Sequence, residues 1–266
     1  MMKKQYRFLA VFLALAAAVC AGTGISHYIK EQRAGEEYER LQEEMERTEP
    51  EETPSEEEPA VSASEQEPER EPVEIPVDFA ALKEQNPDVY AWICVPGTEI
   101  DYPVLQSEED NTYYLTHTID GEKTIAGSIY TENYNSKDFD DPNTVIYGHN
   151  MKNGSMFRTL HNYEDKTFFD ENREIRIYLP DAILTYRIFA AYVYDNRHIL
   201  LNYDFEDPDV YQEYLDGIFR IRDVGAHIDT SMEVTADDRI ITLSTCNAGI
   251  ETQRYLVQAV LISIDH

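Results

Sequence analysis

Eight short runs punctuate the chain from residue 89 onward: Val89–Val95, Ile100–Leu105, Gly127–Thr131, Thr144–Tyr147, Glu174–Leu179, Ile183–Tyr194, Arg239–Thr245 and Tyr255–Ile264. They are rich in Ile, Val, Tyr and Thr and bounded by Gly, Pro, Asn or Asp. β-Branched and aromatic side chains pack well on a pleated surface, and the bounding residues close turns. About eight strands in some 190 residues predict a mainly β fold, a barrel or a sandwich.

Helices interrupt this pattern. Asp78 before Phe79 and Leu82, with a stop at Asn86-Pro87, reads as a short capped helix. Asp207-Pro208 supplies an N-cap and a first-turn proline. Tyr211, Tyr214, Leu215, Ile218 and Phe219 then follow at helical spacing, which predicts an amphipathic helix over 208–222. Shorter helical pieces are expected at 155–162 and 165–171.

Upstream of residue 76 the composition is different. Lys3, Lys4 and Arg7 precede a run from Phe8 to Ile25 that is almost wholly apolar or small. This predicts a cytoplasmic basic tail (1–7) and a signal anchor or transmembrane helix (8–29), hence a single-pass cell-membrane protein with its bulk outside the cytoplasm. Val19 occupies the position where a lipoprotein site at Cys20 wants a small residue. Residues 30–75 read as an acidic, Pro/Glu-rich, disordered linker, with a polar helix at 31–47 as its one structured candidate. The folded domain is expected over 76–266.

The chain has 52 acidic and 22 basic side chains, a formal charge of −30, and residues 76–266 alone hold 34 acids against 14 bases. Phosphate binding depends on Lys and Arg, so nucleic acid is excluded as a partner. Of three cysteines, Cys20 lies in the apolar run, leaving Cys94 and Cys246, which is no disulfide framework. Cys94 reads as strand packing. The remaining histidines, His27, His117, His161, His198, His227 and His266, show no metal-ligand spacing.

The chemistry concentrates in three places. Arg239-Ile-Ile-Thr-Leu-Ser-Thr-Cys246 reads as a strand ending in a thiol, with Ile241, Leu243 and Thr245 on one face and Ile240, Thr242, Ser244 and Cys246 on the other. A strand end is held by rigid backbone yet opens onto a loop, which suits a nucleophile. Seven residues separate Cys246 from Arg254, which opens the next strand, and an antiparallel return sets it opposite or diagonal to Cys246. There a fixed cation favours thiolate and binds an oxyanion. Upstream, His149 follows a strand in Thr144-Val-Ile-Tyr-Gly-His149. An imidazole both accepts the thiol proton and donates to a leaving amine near neutral pH.

These segments resemble sortases. Thr242-Leu243-Ser244-Thr245-Cys246, with Arg254 eight residues on, resembles the sortase cysteine–arginine signature. Tyr147 to Phe157 resembles the class B form of the histidine segment, and Trp92–Gln106 and Asp110–Leu115 add to the match. The resemblance implies a closed eight-stranded sortase barrel with peripheral helices, one N-terminal and one long, for which 208–222 is well placed. It implies a cysteine transpeptidase without cofactor, in which Cys246, His149 and Arg254 are catalytic and Ser244 and Thr245 line the substrate groove. Tyr192 and Tyr194 lie in the region 180–204, which borders that groove. The implied partners are secreted proteins carrying an NPxT-like sorting signal, and an amine of peptidoglycan precursor or pilin. Two alternatives stand beside this: a thiol endopeptidase that uses water, and a non-catalytic surface barrel that binds peptides.

Overall fold

In the computed structural model, residues 26, 28–44, 73–247, 249–250 and 252–266 are described. Nine strands are present among them: β1 (Val89–Val95), β2 (Ile100–Leu105), β3 (Ile129–Thr131), β4 (Asn143–Tyr147), β5 (Glu174–Tyr178), β6 (Ile183–Asp195), β7 (His227–Ile228), β8 (Ile240–Cys246) and β9 (Gln253–Asp265). They form one sheet in the order β5-β1-β2-β3-β4-β8-β9-β6-β7, and a further β5–β6 pairing closes it. Eight strands therefore make a barrel, and the two-residue β7 adds to the edge of β6. Closure leaves no open sheet edge among those eight. Most neighbours are antiparallel, but β2–β3 and β4–β8 are parallel.

The helices are α1 (28–44), α2 (Phe79–Gln85), α3 (Lys166–Glu171), α4 (Ile199–Asn202) and α5 (Pro208–Phe219). The caps expected from sequence form: Asp78 accepts from Ala81 N, and Asp207 accepts from Asp209 N and Val210 N with Pro208 in the first turn. α5 stops at Phe219, three residues before the expected end. The segment expected to be helical over 155–162 is a 3-10 turn at Arg158–Glu164.

Two apolar clusters result. One fills the barrel, with Trp92, Ile93, Ile100, Leu105, Ile129, Ile241, Leu243 and Tyr255 buried in it. The other lies between the outer face of β4, β6, β8 and β9 and helices α4 and α5, through Phe189, Ile240, Leu256, Ile199, Tyr211, Tyr214, Leu215 and Ile218. Strand alternation explains the split: successive residues of β8 and β9 face the two clusters in turn.

The expected single-pass membrane placement is corrected here. Among the described residues no helix is long and apolar enough to cross a membrane. Residues 8–25 of the expected anchor lie outside the described residues. From residue 28 the chain runs as α1 through Lys30, Glu31 and Arg33, and Ala34, Tyr38 and Leu41 at helical spacing are buried against the body. Within the segment read as a linker, the polar helix expected at 31–47 is thus a docked helix over 28–44, because those three residues give it one apolar stripe. The rest of that linker, 45–72, lies outside the described residues, as do Cys20 and Glu251.

Candidate active site

Cys246 ends β8 and is exposed, and it forms no disulfide with Cys94. β9 returns antiparallel, and the ladder sets Cys246 directly against Arg254. Opposed residues of such a pair point to the same side, with Cβ atoms about 5 Å apart. Thiol and guanidinium therefore share a face, as the short connection between them predicts.

On the other flank of β8, β4 runs parallel and pairs Tyr147 with Ser244. Gly148 N donates to Ser244 O at 3.2 Å. Beyond that pair Gly148 leads out of β4 to His149, while Cys246 is the last residue of β8. The Asn150 side chain bridges them, its Nδ2 donating to Cys246 O at 2.9 Å. The backbone after His149 is turned back by Phe157 N donating to His149 O at 2.9 Å. Gly148 is required: a Cβ there would lie 2.5 Å from Ile129 Cδ1 and 2.6 Å from Phe157 Cγ.

The His149 imidazole has a defined proton arrangement. Its Nε2 lies 2.7 Å from Leu115 O, at the end of the 3-10 turn Tyr113–Leu115. A carbonyl only accepts, so Nε2 carries hydrogen and Nδ1 is the nitrogen left to exchange a proton. Tyr130 and Tyr147, paired across β3 and β4, line the same region. Burial pushes both phenols up, and the charge of Glu132 adds to it; the charges of Cys246 and Arg254 also act on Tyr130. Both hydroxyls keep their protons at neutral pH, so neither is a base there. Glu132 accepts from Tyr147 Oη at 3.2 Å and pairs with His198 Nε2 at 2.7 Å, tying the approach to α4 onto the end of β3.

Four residues had been expected to line a groove. Ser244 is on the Cys246 face and buried. Tyr194 is half-buried, opposite Arg254 on β9, with the Arg197 guanidinium 5.5 Å from its ring centre. Thr245 lies on the opposite face of β8, with Ile241 and Leu243 of the barrel interior, and is buried. Tyr192 is buried under α5, where its hydroxyl donates to Gln258 Oε1 at 2.9 Å; Gln258 Nε2 in turn donates to Tyr214 Oη and Thr242 Oγ1, each at 2.8 Å. Thr245 and Tyr192 are thus both buried, the one on the barrel side of β8 and the other in a buried polar chain. Sequence reading missed Leu115, Asn150, Tyr130, Glu132 and His198. Asn150 was signalled by its place beside His149, whereas the others come from segments with no spacing relation to the thiol.

Comparison with known proteins bears on this geometry. The family described as the Sortase domain matches residues 93–262. Sortase B of Listeria monocytogenes is 35% identical over 192 residues, covering 71% of this chain and 76% of that protein. The chain belongs to the sortase family, in its class B. Sortase B of Staphylococcus aureus is 31% identical over 188 residues, 70% of this chain and 75% of that protein. Among solved structures, sortase B from Bacillus anthracis in complex with AAEK1 superposes with a TM-score of 0.69 at 28% identity, covering 90% of this chain and 99% of that one. A Staphylococcus aureus sortase B–substrate complex gives 0.61 at 33% identity, covering 70% and 84%. The closed eight-stranded barrel with peripheral helices is the sortase fold, and sortase B is a cysteine transpeptidase family.

Proposed function

We propose that this sortase cleaves an NPxT-like sorting signal of secreted proteins and joins the N-terminal fragment, through its new threonine carboxyl, to an amine of peptidoglycan precursor or pilin. Residues 76–266 are its catalytic domain. Cys246 Sγ gives its proton to His149 Nδ1 and attacks the carbonyl carbon of the threonine at the cleavage point. The oxyanion faces the Arg254 guanidinium. As the C–N bond breaks, the imidazolium returns its proton to the leaving amine, and a thioester remains on Cys246. The acceptor amine then attacks the thioester, loses a proton to His149 and expels the sulfur. Ser244 and Tyr194 border the bound peptide.

The observation that supports this reading is the register of β4, β8 and β9, with Arg254 opposed to Cys246 on one side and, on the other, the end of β4 that leads into His149. The exposed thiol gives a peptide room to approach. The test is incubation of the full-length protein with NPxT peptides, with and without an amine. Mass spectrometry should find an acyl adduct on Cys246 and a product containing the amine. A product that never contains it identifies an endopeptidase using water instead. A thiol that takes up no acyl group from any sorting peptide leaves only the non-catalytic barrel.

A further inference from the structure

A second imidazole touches the nucleophile's own backbone and has no part in the proposed acyl transfer. His161 lies in the turn Arg158–Glu164, with its side chain 11% exposed and its ring stacked on Tyr255 at 4.9 Å between centres. Its Nδ1 is 2.6 Å from Glu164 Oε1. Its Nε2 is 2.9 Å from Asn150 Nδ2 and 3.2 Å from Cys246 O. Asn150 Nδ2 donates to that same carbonyl at 2.9 Å, and Asn150 Oδ1 accepts from Arg158 Nη1 at 3.1 Å.

The protons in this cluster are determined by what each partner is able to do. A guanidinium only donates, so the Asn150 oxygen faces Arg158 and its NH2 faces His161 and Cys246. A carboxylate only accepts, so His161 Nδ1 carries hydrogen against Glu164. The two Asn150 hydrogens then have two acceptors, Cys246 O and a bare His161 Nε2. Every donor is matched when His161 is the neutral Nδ1–H tautomer; its bare Nε2 then accepts from Asn150 and makes no hydrogen bond to Cys246 O. Hydrogen on Nε2 would set N–H against N–H across 2.9 Å.

The structure assigns His161 the role of a positioning residue: with its tautomer set by Glu164, it holds Asn150 against Cys246 O and so fixes the end of β8 relative to the His149 loop. The ladder between β4 and β8 reaches only to Gly148 N and Ser244 O, one residue short of His149 and two short of Cys246. Beyond it Asn150 carries the connection, and His161 gives Asn150 one orientation. Reacting groups displaced by about 1 Å lose on the order of 100-fold in rate, so a loosened strand end is costly even with the side chains intact. This inference rests on the reading of Cys246 as nucleophile and His149 as its proton partner.

The test uses the full-length protein and two probes. Nitrogen-15 NMR of the His161 ring should show hydrogen on Nδ1 and none on Nε2 at neutral pH. Iodoacetamide labelling of Cys246, followed by mass spectrometry, reads thiol placement without a sorting peptide. His161→Ala should slow labelling about tenfold, and slow kcat for an NPxT peptide similarly with KM within about twofold. His161→Gln sets an amide oxygen near the lost Nε2 and should recover labelling to within about threefold of the parent. Asn150→Ala removes the same link from its other end; it should match His161→Ala, and the double variant should be no slower than either. If His161→Ala does not fold, Asn150→Ala and the NMR result decide. An Nε2–H tautomer, parental labelling in the folded Ala variants, or a Gln variant as slow as Ala each overturns the assignment. If no sorting peptide acylates the parent protein while labelling still depends on His161, the proposed function fails and the positioning role stands.

Discussion

In the proposed mechanism Cys246 and Arg254 each act by chemistry their replacements lack, and Gly148 supports the backbone that leads into His149. Cys246→Ala removes the nucleophile and is expected to abolish both acyl adduct and transfer product. Arg254→Lys keeps the charge but loses the planar fork that reaches an oxyanion beside an opposed strand residue. It should lower kcat by about 100-fold with the fold intact, measured by peptide turnover and circular dichroism. Gly148→Ala acts without touching a reacting atom. Its methyl meets Phe157 and Ile129 in the packed wall behind His149, so it should cost about 1–3 kcal/mol in denaturant unfolding and also slow acylation.

Elements meet the site through the sheet, and they are held to it by a small number of polar ties. Arg173, just before β5, donates to Ile188 O on β6 and pairs with Asp229, just after β7, at 2.7 Å. Burial pushes the Asp229 carboxyl up, but hydrogen bonds from Ser231 and Arg173 outweigh it and hold it at about 2, below the ordinary 3.8. A carboxylate with a depressed pKa stabilises the fold fully above the ordinary value and loses that contribution as pH falls through the folded one. Between pH 4 and 2 the parent should therefore lose on the order of 1 kcal/mol more stability than Asp229→Asn, measured by urea unfolding. Equal losses would show that the pair does not tie β7 to β5.

At the scale of the whole molecule, the barrel and α1 behave as one body. The Tyr38 hydroxyl donates to Gly127 O at 3.2 Å and shares a hydrogen bond with Ser128 Oγ at 3.0 Å, while its ring meets Tyr102 edge-on at 5.5 Å. Gly127 and Ser128 lead directly into β3, so α1 braces the wall that carries Tyr130. Tyr38→Ala should cost about 3 kcal/mol in global unfolding, the scale of losing a buried aromatic ring. An unchanged unfolding midpoint would mean that α1 does not brace the barrel.

All eight barrel strands were legible in the sequence to within about two residues at each end, because alternating β-branched and aromatic runs and their Gly, Pro and Asn stops are local signals. So were the caps at Asp78 and Asp207, and the hairpin that opposes Arg254 to Cys246, since a seven-residue connection leaves little choice of partner. Local patterns thus carry the strands, their punctuation and the residue types able to do thiol chemistry. Which of them meet depends on the folded chain. The parallel pairing of β4 with β8 brings Tyr147 to Ser244 across 97 positions of chain. Which tyrosine is sealed by α5, which face of β8 looks into the barrel, and where α1 docks are likewise settled by long-range burial. Such contacts depend on how distant segments share space, and no local pattern of residues encodes them.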